Sequence, residues 1–160
     1  MPKPGRVRRA RPTVEDFQHL LAFRITLRRF QHWSERQAIA VGLTPAQHQL
    51  LVAIKGHPGR LAPTIGELAA SLLLRHHSTV ELVDRAVAAD LVSREADAAD
   101  ARLVRVNLTG RGDRLVIKLT QAHLAELRKL AVALYELEPY RDDDDGQSRG
   151  AAGESSSAPG

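Results

Sequence analysis

Apolar residues recur at helical spacing near the start of the chain, with Val14, Phe17, Leu21 and Ile25 in one stripe and Leu20, Phe23, Leu27 and Phe30 in another beside it. Thr13 follows Pro12 and precedes Glu15 and Asp16, an N-cap with acids in the first turn, so a helix is expected from there to about Ala40. Two adjacent stripes are wider than the face one small core needs. Such a helix is expected to be buried from more than one side, by a second subunit.

Thr44-Pro-Ala-Gln47 reads as a capping box with proline at the first helical position, and Leu50, Leu51 and Ile54 supply a buried face up to Gly56. A turn-rich connection, residues 57–63, leads to a second box, Thr64-Ile-Gly-Glu67, with Ile65, Leu68, Ala69 and Leu72 on one face. After a break near Leu73 and Leu74, residues 75–90 carry Val80, Val83 and Val87 as inward positions behind a polar front. Two short helices of this kind make a helix-turn-helix. Leu91 to Glu95 and Arg102 to Leu108 are strand-like, and the small or polar residues 96–101 close them into a hairpin. Thr109 then caps a last helix whose stripe runs Val116, Leu119, His123, Leu127, Leu130, Leu134 and Leu137. The first and last helices can partner each other within a subunit and across a two-fold axis.

Composition sharpens this picture at the ends. Residues 1–12 hold five cations and no acid, whereas residues 141–160 set two arginines against five acids and contain no large apolar residue. Both ends are expected to be disordered, flanking a single domain over residues 13–140. The basic arm suits a polyanion, and equally a solvated tail. The chain has no cysteine, which excludes disulfides, thiolate metal sites and thiol redox sensing. Neither a membrane span nor a signal segment is legible, so a cytoplasmic protein is expected.

The order helix, helix, helix-turn-helix, hairpin, long helix resembles the MarR family of transcription regulators, and local wording agrees. Leu43-Thr-Pro-Ala-Gln47 looks like the family's second-helix opening, and Leu82-Val-Asp-Arg85 with Leu91-Val92 like the end of its recognition helix and the entry to its wing. Asp100-Ala-Arg102, then Val104, Val106, Leu108-Thr109 and Gly112, look like its wing and the start of the helix beyond. The resemblance spans residues 13–138. It implies a mainly α fold with a small β-hairpin wing, a winged helix-turn-helix (residues 42–109) between N- and C-terminal dimerisation helices (13–41 and 110–138). Asp90 stands where the family commonly has Gly, a change Asp tolerates because it visits left-handed backbone, and His77 stands where a small hydroxyl is common.

In that geometry the N-terminal turn of the recognition helix faces the major groove, so Arg75, His76, His77, Ser78 and Thr79 are the candidate readers. Ser78 or Thr79 could instead simply cap the helix. Arg85 could reach a phosphate or pair with a wing carboxylate. Arg102, with Asp100 placed to hold its guanidinium, suits the minor groove, and the resemblance makes the wing arginine the family's minor-groove contact. The histidine spacings match no metal motif, and no catalytic constellation or cofactor loop is legible, so neither a metal, a cofactor nor an enzyme is expected. His19 and His123 could meet across the helical core and titrate near neutrality. Trp33 and His32 could line a pocket, and Trp33 could equally lie in a dimer core. The expected partners are double-stranded DNA and a second copy of the chain. The resemblance adds repression, a pseudo-palindromic operator and release by a small, unidentified, commonly phenolic or lipophilic effector. The alternative is a winged-helix module used for protein contacts alone, which would lack salt-sensitive duplex binding.

Overall fold

Threonine caps start four of the helices in the computed structural model, which describes residues 11–135. Thr13 opens α1 (Val14–Ala40): its Oγ1 accepts from the Asp16 N–H at 3.2 Å, while the Asp16 carboxylate accepts from the Thr13 N–H at 2.6 Å. The same reciprocal box joins Thr44 to Gln47 ahead of α2 (Pro45–Lys55) and Thr64 to Glu67 ahead of α3 (Ile65–Leu72). Beyond them lie α4 (His76–Ala88), β1 (Val92–Ala96), β2 (Val104–Leu108) and α5 (Gly110–Tyr135). Residues 1–10 of the predicted N-terminal arm, the acidic tail and Leu137 lie outside the described residues, as does the side chain of Leu134.

Three helices end in one way with three different residues. Behind α1, Gly42 takes φ +79°, donating to Ile39 O while the Leu43 N–H reaches back to Ala38 O at 3.0 Å. Behind α3 the left-handed residue is Leu73, at φ +54°, and the Leu74 N–H bonds Ala69 O. Behind α4 it is Asp90, again at φ +54°, with the Leu91 N–H bonded to Ala86 O. The expected left-handed role of Asp90 is therefore met, whereas Leu73 does the work of a glycine with a side chain that is 92% exposed.

β1 and β2 pair antiparallel from Val92 opposite Leu108 to Ala96 opposite Val104. β2 starts at Val104 and not Arg102, because residues 97–103 close the turn, and β1 runs one residue later than its pattern suggested, from Val92 to Ala96. Pro63 and Thr64 line the free edge of β2: the Val106 N–H donates to Pro63 O at 2.9 Å, and Thr64 bridges Arg105. Thr109 joins the hairpin to α5, donating to Asp90 O at 2.8 Å and accepting from the Gly112 N–H at 3.0 Å. Gly112 must be glycine because a Cβ there would sit 2.0 Å from Leu91 O.

The core gathers Leu50 and Leu51 of α2, Leu68 of α3, Leu82, Val83 and Ala86 of α4, Leu91, Val92 and Val106 of the hairpin, and Val116 and Leu119 of α5. Val87, expected inside, is exposed, and Leu82 and Ala86 take the buried positions of α4 instead. Along α1 the two stripes remain largely open: Val14, Phe17, Leu20, Leu21, Phe23 and Ile25 are all exposed. Past His123, Leu127 of the α5 stripe is exposed and Leu130 half-buried, and outside the stripe Leu124, Val132 and Tyr135 are exposed as well.

Candidate nucleic-acid interface

Helix α4 turns one face to the core and leaves the other bare. Thr79, Leu82, Val83 and Ala86 are buried, and at about 100° per residue the opposite ridge runs through His77, Glu81 and Arg85, with Asp84 beside it. Arg75 sits at the N-cap in extended backbone and offers no side-chain cap, so neither it nor Ser78 or Thr79 closes the helix N-terminus. Thr79 falls out of the reader set altogether. It is fully buried, and its hydroxyl donates to Arg75 O at 3.1 Å, one turn back along the inner face. Ser78 is half-buried with Oγ 3.4 Å from His77 Nε2, while Arg75, His76 and His77 are exposed.

Of the two alternatives for Arg85, the pair with a wing carboxylate is absent among the described residues, and Arg85 stays exposed and unpaired. Helix and wing are joined the other way round. Arg94 of β1 reaches Asp84 Oδ1 at 2.7 Å and donates to Val80 O at 3.2 Å. Arg94 is exposed, but it lies opposite Val106 on the face of the hairpin turned to α4, which brings its guanidinium to Asp84.

The wing tip is held by Asp97, which the sequence reading passed over. Its buried carboxylate accepts from the N–H groups of Ala99 at 2.8 Å and Asp100 at 2.9 Å and pairs with Arg105. Those bonds, the Asp100 N–H first, then Ala99 and the Arg105 guanidinium, hold its pKa below the ordinary aspartate value. Arg105 also donates to Ala62 O at 2.6 Å, tying the hairpin to the segment before α3. On this braced turn Asp100 Oδ1 accepts from both the backbone N–H and Nε of Arg102, at 3.0 and 3.2 Å, and the Arg102 side chain is 90% exposed.

A second cluster lies where α1, α2 and α5 meet. The His123 ring centroid lies 4.7 Å from that of His48, the planes tilted by 48°, and 4.9 Å from that of Trp33, edge-on at 63°, and Ser34 Oγ lies 2.7 Å from its Nε2. His123 Nδ1 lies 2.8 Å from Leu119 O, so Nδ1 carries the proton and Nε2 accepts from the Ser34 hydroxyl. Burial, and then the neighbouring His123, push the His48 pKa below its ordinary value. The partner of His123 is thus His48 and not His19, which lies about four turns before Ser34 on α1. His32 is exposed, and Trp33 packs on Phe30 and His123. Among the described residues no set of three His, Asp or Glu side chains is grouped to hold a metal, and no helix is long and apolar enough to cross a membrane.

Comparison with known proteins bears on this geometry. A sequence model described as MarR family matches residues 41–103, from the end of α1 to the wing tip. The uncharacterized HTH-type transcriptional regulator YsmB of Bacillus subtilis is 36% identical over 67 residues, covering 42% of this chain and 46% of that relative, so less than half of its length is matched. The structure of AbsC, a MarR family transcriptional regulator from Streptomyces coelicolor, superposes with TM-score 0.66 at 22% identity, over 78% of this chain and 84% of AbsC. A mutant of S. aureus MepR bound to an oligodeoxyribonucleotide superposes with TM-score 0.58 at 20% identity, over 82% of this chain and 88% of its own. The family-model match falls on the winged head, and the structural likeness covers more of the chain than that head.

Proposed function

We propose that the chain is a MarR-family transcription regulator that binds duplex DNA as a homodimer, each subunit offering one winged helix-turn-helix to half of a pseudo-palindromic operator, a reading supported by the family-model match to the head and by the likeness to solved MarR structures. The observation that carries this reading is the pairing of an exposed polar ridge on α4 with an exposed arginine on a braced hairpin. Arg75, His76 and His77 supply donors to base edges and phosphates at the front of α4, and Ser78 contributes from its flank. Arg85 positions the helix on a phosphate, and Arg102, oriented by Asp100, enters the minor groove. The homodimer is favoured by the open stripes of α1 and α5, whose apolar side chains find too little cover within one subunit.

Repression released by a small effector fits the same arrangement, because the Trp33, His48 and His123 cluster stands where the long helices meet the head. Selection of bound duplexes from random DNA by the purified protein, with affinity measured across salt concentrations, tests the reading. One enriched inverted repeat and a log affinity that falls linearly with log salt are expected. No enrichment and no salt-dependent duplex binding would leave the winged head to protein contacts.

A further inference from the structure

The exposed ridge of α4 carries a negative charge at its centre. Glu81 is the sixth residue of α4, one turn beyond His77 and one turn before Arg85. It is exposed, and among the described residues it makes no ion pair and no side-chain hydrogen bond.

Asp84 beside it on α4 and the acidic side chains of the wing are engaged. Asp84 is held by Arg94, Glu95 accepts from Asn107 at 3.3 Å, Asp97 is held by Arg105 and two backbone N–H groups, and Asp100 is held by Arg102. Even Arg85, at the spacing where a helical glutamate ordinarily finds its cation, leaves Glu81 alone. A bare carboxylate on a surface that meets a polyanion weakens binding to every sequence alike unless it finds a donor. On the floor of the major groove the donors are the amino groups of cytosine and adenine. Guanine offers only acceptors there, and adenine sets its N7 acceptor beside the amino group, where it faces the second carboxylate oxygen. Cytosine N4–H2 is the partner without that repulsion.

We propose that Glu81 is a specificity-determining residue, accepting a hydrogen bond from cytosine N4 and so requiring a C·G pair at one position of each half-site. The role rests on the reading of α4 as the major-groove helix. Glu81 lowers affinity for every other sequence through its charge and restores it at the correct one, so that discrimination comes from repulsion as much as from attraction.

Selection from random duplex DNA with the full chain, run on the wild type, Glu81→Gln and Glu81→Ala, tests the assignment. Wild type is expected to enrich cytosine at one half-site position. Glu81→Gln should move that preference to adenine, whose N6 and N7 an amide can bond together, and Glu81→Ala should leave it degenerate with the other positions unchanged. Replacing that C·G pair should weaken wild type by about ten- to a hundredfold and leave Glu81→Ala nearly unaffected. Three identical selected sites would reduce Glu81 to a surface charge and overturn the assignment, with DNA reading intact. A wild type that enriches no sequence at all would overturn the DNA-reading premise, and this role with it.

Discussion

The winged head and the two long helices spend their apolar residues differently. In the head Leu50, Leu51, Leu68, Val83, Leu91, Val92 and Val106 are closed off from solvent, and the hairpin is braced to α4 by Arg94 and to the segment before α3 by Arg105. In α1 and the far half of α5, residues as large as Phe17, Leu21 and Tyr135 lie in the open. The head completes itself within one chain. The long helices point their pattern outward, and a second copy with the same unsatisfied stripes is the simplest cover for it.

Breaking each region should therefore give different failures. Leu50→Ala removes a fully buried side chain from the head and is expected to cost about 2–5 kcal/mol, read as loss of the melting transition's cooperativity or a large drop in Tm. Phe17→Asp should instead separate the subunits, seen by sedimentation as a shift from dimer to monomer, with the head's helical signal largely kept. A Phe17→Asp protein that sediments as the wild type does would place the dimer contact elsewhere.

The junction between the regions is expected to respond to acid. His48 is buried with its pKa below the ordinary value of 6.5, so between 6.5 and its lower folded value the unfolded chain takes up a proton that the folded chain refuses. This group's contribution to stability is complete above pH 6.5 and is lost as pH falls through that window. Comparing denaturation midpoints of wild type and His48→Gln across pH 5 to 8 checks the sign. A wild-type midpoint falling no faster than the variant's on acidification would remove His48 from the account.

The smallest effect belongs to the turn between α3 and α4. Leu73 holds φ +54° with its side chain almost wholly exposed, so Leu73→Gly relieves left-handed strain of about 1–2 kcal/mol, offset in part by about 0.5–1 kcal/mol of added unfolded-state entropy. A slight rise in Tm is expected, and a fall would mean that the Leu73 side chain makes a contact within the dimer.

How far the sequence led follows the same division. Helix starts were legible because Thr13, Thr44, Thr64 and Thr109 satisfy backbone donors locally, through bonds spanning three residues. The wing residues Asp100 and Arg102 were legible because their spacing is local as well. Thr79 was misread because its facing depends on how α4 rolls against α2 and α3, and a hydroxyl that bonds its own helix can be buried like valine. Arg94, Arg105 and the pair His48 and His123 were missed because their partners, Asp84, Ala62 and each other, come together only through tertiary packing.

DNA reading by the head rests most heavily on Arg102, whose exposed side chain is oriented by Asp100 while its backbone is held by a braced turn. Affinity of wild type and Arg102→Ala for the selected operator, at one fixed salt concentration, is the most direct measurement. A loss of about 1–3 kcal/mol per half-site, with dimer and melting temperature nearly unchanged, is expected. Equal affinity for both proteins would contradict a DNA-reading wing.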